Sequence, residues 1–224
     1  MLRRYFIPTL LVLALVGPWQ SNAISQSTGK AAAAPGRKPT YSILVVGDSL
    51  SAEYGLPRGS GWVALLQKRL AAEGISADVI NASISGDTTS GGRSRIAALL
   101  GQHKPTHVVL ELGGNDALRG LPLQMTEDNL QQMAMASRKA GARVLVLGMQ
   151  MPPNYGVEYG TRFAELFARV ARSSQSGLVP FLLKGVADGA DPTRLFQSDR
   201  IHPMAQAHPI MLDNVWPELR KQLK

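Results

Sequence analysis

Five short apolar runs, separated by stretches of helical periodicity, constrain the fold of this chain more than any other feature. They are Ser42-Ile43-Leu44-Val45-Val46, Asp78-Val79-Ile80-Asn81-Ala82, His107-Val108-Val109-Leu110-Glu111-Leu112, Arg143-Val144-Leu145-Val146-Leu147 and Leu178-Val179-Pro180-Phe181-Leu182. Runs that are apolar throughout, without polar alternation, belong to strands covered on both faces. Between them, Trp62, Leu65, Leu66 and Leu70 recur at helical spacing before Gly74, predicting a helix over 62–72. Ile96, Leu99 and Leu100 mark a second helix over 93–100. Thr126 is a candidate N-cap for a helix that runs to Ala140 and is stopped by Gly141. Tyr159 to Arg172 and Met204 to Leu223 complete the set, with breaks or kinks predicted at Pro209 and Pro217. Strand–helix alternation of this kind predicts an α/β domain over 41–224, a parallel sheet with helices on both faces. The proline in the fifth run places that strand at an edge.

The residues ahead of the first run read as an address. Met1-Leu2-Arg3-Arg4 is a basic start, Tyr5 to Trp19 is apolar, and Ser21-Asn22-Ala23 is a small-x-small cleavage site. This is the pattern of a secretory signal peptide over 1–23, and the apolar run is shorter than the ~20 residues needed to span a bilayer. Residues 24–40, with four consecutive alanines followed by Pro35-Gly36, read as a flexible linker. The expected destination is periplasmic or secreted. The chain has no cysteine, which excludes a disulfide scaffold, a thiolate metal site, a catalytic thiol and an N-terminal lipid anchor. Its net charge is +8, but the basic residues are scattered and aromatics make up only 6%. That pattern argues against a nucleic-acid partner and limits membrane contact to the peripheral kind.

In an open parallel sheet, ligands bind beyond the carboxyl ends of the strands. At those ends lie Gly47-Asp48-Ser49-Leu50-Ser51, Ser83-Ile84-Ser85-Gly86-Asp87 and Gly113-Gly114-Asn115-Asp116, with Asp199-Arg200-Ile201-His202-Pro203 just before the last helix. A serine hydroxyl is too weakly acidic to attack a carbonyl unaided. His202 can take its proton, and Asp199, three residues away, can hold the other imidazole nitrogen. The backbone N–H groups of Ser49 and Gly86 and the side-chain amide of Asn115 are candidate oxyanion donors. Each piece has a plain reading alone: a strand-to-helix turn, an Asx turn, a surface histidine. All four at successive strand ends point to acyl transfer.

The same residues resemble a known family. Gly47-Asp48-Ser49-Leu50 is similar to the GDSL motif of the SGNH hydrolases. Asn81 to Thr88, Gly113 to Asp116 and Asp199 to Pro203 resemble that family's remaining blocks, and the resemblance runs from about Ser42 to Leu223. Within the family the chain looks closest to the secreted bacterial thioesterase, arylesterase and lysophospholipase group. The resemblance implies a three-layer α/β/α domain with a flavodoxin-like five-stranded parallel sheet. It also implies a Ser49–His202–Asp199 triad, an oxyanion hole from Ser49, Gly86 and Asn115, and hydrolysis of small acyl esters or thioesters through an acyl-Ser49 intermediate, with no metal and no cofactor.

Rival readings fit less well. An α/β-hydrolase expects Gly-x-Ser-x-Gly, but Ser51 stands at the last position. A dinucleotide fold expects glycines that do not accompany Gly47. A metal site would have to draw on Asp199, His202 and His208, with His103 and His107 at the far edge of the sheet. A non-catalytic lipid- or carbohydrate-binding protein on the same fold is the rival from a different class. The loop Gln150 to Gly156 is a candidate acyl-chain wall, with Leu118, Leu121 and Leu123 as candidate further lining.

Overall fold

The structure, a computed structural model, describes residues 40–224; the expected leader over 1–23 and the linker up to residue 39 lie outside the described residues. Strand β1 (Tyr41–Gly47) pairs in parallel with β2 (Ala77–Asn81) on one side and β3 (His107–Glu111) on the other. β4 (Arg143–Leu147) and β5 (Gly177–Val179) follow outward, giving the order β2-β1-β3-β4-β5. Ile43 to Val46 and Val108 to Leu110 are fully buried, which explains why these runs carry no polar alternation.

Helices cover the sheet in two groups. α1 (Trp62–Ala72) packs against α6 (His208–Gln222). α4 (Leu123–Lys139) lies between α2 (Thr89–His103) and α5 (Val157–Ser173). A one-turn helix, α3 (Gly114–Leu118), follows β3 directly. The architecture is the expected three-layer α/β/α domain, with β5 at an edge.

Some local expectations change. β5 ends at Val179: the chain bends at Pro180, which has no N–H for the ladder, and Leu182 N–H donates to Gly148 O at 2.9 Å instead. α2 begins at Thr89, four residues earlier than expected, because Thr88 caps it through Gly91 N–H. Thr126 is not an N-cap. α4 starts at Leu123, and the buried Thr126 hydroxyl donates to Asp116 at 3.3 Å. Pro209 does not break the last helix but sits in its first turn, where a missing N–H is harmless, and α6 starts at His208, four residues later than expected. Pro217 does lie inside that helix.

Candidate active site

Close backbone approach shapes the turn after β1. A Cβ on Gly47 would lie 2.8 Å from both Glu111 Oε2 and Ser51 Oγ, so no larger residue fits. Asp48 then closes the turn, its Oδ1 accepting from Leu50 N–H at 3.0 Å and its carbonyl from Ala52 N–H at 2.9 Å. Ser49 is left half-buried at the tip of the turn.

From the opposite end of the chain, the segment before α6 delivers His202. Its carbonyl accepts from Gln197 N–H at 2.7 Å, and Met204 N–H donates to Leu195 O at 2.8 Å. The Gln197 side chain donates to Tyr54 O at 3.0 Å, tying this segment to the loop after Ser49. His202 Nε2 lies 2.9 Å from Ser49 Oγ, and His202 Nδ1 lies 2.6 Å from Asp199 Oδ2. The other Asp199 oxygen accepts from the N–H groups of Ile201 and His202 at 3.0 and 3.1 Å. Partial desolvation pushes the Asp199 carboxyl upward. The hydrogen bonds from the His202 ring, Ile201 N–H and His202 N–H outweigh it and hold the group at about 2. A carboxylate that stays ionised beside Nδ1 keeps the proton there and leaves Nε2 facing Ser49 as an acceptor.

Gly86 and Asn115 reach the same opening from the ends of β2 and β3. Gly86 adopts φ +77°, a left-handed turn conformation that excludes most other residues, and its carbonyl accepts from Arg119 at 2.8 Å. Asn115, in the first turn of α3, donates one amide hydrogen to Asp48 Oδ2 at 2.9 Å, which fixes the amide and leaves its second N–H available. α3 is itself held by Asp116, whose buried carboxylate accepts from Thr89 N–H at 2.9 Å as well as from the Thr89 and Thr126 hydroxyls.

Ser49, Gly86, Asn115 and His202 all line one cavity of about 980 Å³, with Asp199 behind His202. Its walls are apolar, with Met149, Met151, Pro152, Phe163, Phe181 and Leu183 among them. The loop after β4 therefore borders the cavity, as does Leu118, whereas Leu121 and Leu123 are absent from its lining. His208 makes no hydrogen bond to Ser49, His202 or Asp199: it is buried, and its Nδ1 accepts from Trp62 N–H at 3.0 Å at the start of α1. Among the described residues, no cluster of three or more His, Asp or Glu side chains is arranged to hold a metal ion.

Three residues at the site escape a reading by motif. Tyr54 places its ring centroid 4.2 Å from that of His202, at an interplanar angle of 36°. Arg119 braces Gly86. Glu111 is fully buried beneath Asp48, its Oε2 accepting from Ser51 Oγ at 2.7 Å and from Asp48 N–H at 3.3 Å. Burial pushes the Asp48 carboxyl up to about 6, against the hydrogen bonds from Leu50 and Asn115. Burial, reinforced by the charge of Asp48, pushes Glu111 well above the usual carboxylate range. A lone acid ending an apolar strand was the available signal for Glu111, because such a position needs a buried partner.

Comparison with known proteins gives a consistent result. Residues 45–210 match the GDSL-like Lipase/Acylhydrolase family. The chain is 51% identical over 181 residues to Esterase TesA of Pseudomonas aeruginosa, an alignment that covers 81% of this chain and 89% of that protein. It is 39% identical over 182 residues to Thioesterase 1/protease 1/lysophospholipase L1 of Escherichia coli, covering 81% and 83% respectively. Among solved structures, the psychrotrophic esterase EstA from Pseudoalteromonas sp., inhibited by monoethylphosphonate, superposes with a TM-score of 0.76 at 39% identity. That match covers 82% of this chain and 98% of that one.

Proposed function

Because the chain belongs to the GDSL-like lipase/acylhydrolase family, we propose that it hydrolyses acyl esters and thioesters with Ser49 as nucleophile, His202 as general base and Asp199 as its orienting carboxylate. The observation that carries this reading is the hydrogen-bonded line from Asp199 through His202 to Ser49, opening into a large apolar cavity. Ser49 Oγ attacks the acyl carbonyl as its proton passes to His202 Nε2. The carbonyl oxygen, now negatively charged, is met by the N–H groups of Ser49 and Gly86 and by the free amide hydrogen of Asn115. Collapse breaks the bond to the alcohol or thiol, which leaves with the proton from His202. Water then loses a proton to His202, attacks the acyl-Ser49 carbonyl, and the carboxylic acid departs as Ser49 recovers its proton.

The apolar walls of the cavity suit the hydrocarbon part of the acyl group. The names of the relatives support carboxylic esters, acyl thioesters and lysophospholipids as substrate classes. The basic, apolar and small-residue order of residues 1–23 supports export to the periplasm or beyond. The deciding experiment is turnover of p-nitrophenyl esters of graded length, an acyl thioester and a lysophospholipid by wild type and Ser49→Ala. Loss of the acceptor hydroxyl should lower kcat by about 10⁶ on every substrate. Turnover surviving in Ser49→Ala would overturn the assignment.

A further inference from the structure

Six large apolar side chains that the fold leaves exposed gather at the carboxyl ends of the strands: Tyr54, Ile84, Leu118, Tyr155, Val157 and Ile201. Tyr54, Leu118 and Ile201 line the cavity. Ile84 immediately precedes the lining residues Ser85 and Gly86, and Tyr155 follows the lining residue Asn154. Val157, at the start of α5, is 84% exposed. Among the described residues the one remaining large exposed apolar side chain, Met135, is on α4. Apolar side chains scattered singly over a surface are ordinary, but a ring of them around one opening marks an interaction face.

Two arginines sit within this ring. Arg119 follows Leu118, and Arg200, which lines the cavity, precedes Ile201. Among the described residues neither guanidinium has a carboxylate within 4.0 Å. The acids of this face are Asp48 and Asp188 in the cavity lining, Asp199 beside Arg200 but paired with His202, and the exposed Glu158 at 3.9 Å from Arg162; Asp188 Oδ1 accepts from Gly185 N–H at 2.5 Å.

We propose that this rim docks the protein on an anionic lipid surface, its apolar side chains entering the boundary between headgroups and acyl chains while Arg119 and Arg200 meet lipid phosphates. Amphipathic faces that combine apolar side chains with unpaired cations bind such interfaces. A second copy of the chain is a poorer occupant. A two-fold contact sets a patch against itself, which brings arginines toward arginines and closes the cavity. No helix among the described residues is long and apolar enough to cross a membrane, and the contact proposed is a peripheral one. Its purpose rests on the hydrolase reading, since docking would bring lipid-borne acyl groups to Ser49, but the binding itself does not require Ser49.

The test is sedimentation of the exported Ser49→Ala chain with phosphatidylcholine vesicles, with and without phosphatidylglycerol. Partitioning should be at least about fivefold stronger onto the anionic vesicles. Adding Ile84→Ser and Val157→Ser should weaken it about tenfold. The same two substitutions in the wild-type background should leave hydrolysis of a short soluble ester unchanged. Equal partitioning with and without the two substitutions, or no preference for anionic lipid, overturns the proposal. So does a lipid-free dimer that the two substitutions dissolve, which would assign the face to a second copy. Soluble-ester turnover that persists in Ser49→Ala would instead sink the assignment of Ser49 as nucleophile and leave the vesicle result intact.

Discussion

Two aspartates flank Ser49 and meet opposite fates. Asp199, on the solvent side, has a side chain 37% exposed and accepts three hydrogen bonds, which hold it ionised at about 2. Asp48, on the sheet side, is 3% exposed and lies over the buried Glu111, and its carboxyl rises to about 6. One residue type therefore supplies a permanent negative charge on one side of Ser49 and a group close to changing charge on the other. The difference is one of solvation. Hydrogen-bond donors replace water around Asp199, whereas burial strips more solvent from Asp48 than Leu50 N–H and Asn115 restore.

Substitution by asparagine sharpens the contrast, since it removes either charge while keeping the shape. Asp199→Asn should lower kcat about 10⁴-fold, because an amide no longer stabilises the tautomer with its proton on His202 Nδ1. Its effect on folding should stay below about 1 kcal/mol, as expected for an exposed pair screened by solvent. Equal losses in activity and in unfolding free energy would break the comparison.

Asn115→Ala comes next, with an expected loss of about 10²–10³ in kcat if the amide held by Asp48 serves the developing oxyanion. Presteady-state kinetics on a p-nitrophenyl ester would locate the loss in acylation. A loss below tenfold would remove Asn115 from that role.

The remaining effect is on stability. The folded protein keeps a proton on Asp48 at pH values where the unfolded chain has lost it. Asp48 therefore contributes stability that is fully present below pH 3.8 and is lost as pH rises through about 6, a change of about 3 kcal/mol. Glu111 is shifted in the same direction. Urea unfolding at a series of pH values should show this decline in wild type and a flatter profile in Asp48→Asn. Asp48→Asn should cost less turnover than Asn115→Ala, because asparagine still offers Asn115 an acceptor oxygen. A wild-type stability that rises between pH 4 and 6 would contradict the sign.

Most of the fold was legible because burial on both faces writes itself into composition. The β4 run and the first helix match the expected bounds over 143–147 and 62–72. Misreadings cluster where a long-range partner overrides a local preference. Thr126 has the right chemistry for a cap but turns inward to Asp116, ten residues back. The α3 turn is too short to leave a periodic signature. At the site, Ser49, Gly86, Asn115 and His202 were legible as polar or glycine residues following apolar runs, or standing just before the last helix. Tyr54 and Arg119 carry no such mark. An exposed tyrosine and an exposed arginine look ordinary until the fold sets them beside His202 and Gly86.

The linear chain by itself determined the layers, the edge position of the fifth strand and which residue types stand at the cavity end, because periodicity and apolar runs report local burial. Only the tertiary structure decided that the ring nitrogen of His202 stands 2.9 Å from Ser49 Oγ across 153 positions of chain, and that Asp48 and Asp199 titrate apart. Distances and solvation of that kind are set by how the separate elements pack together, and no stretch of neighbouring residues encodes them alone.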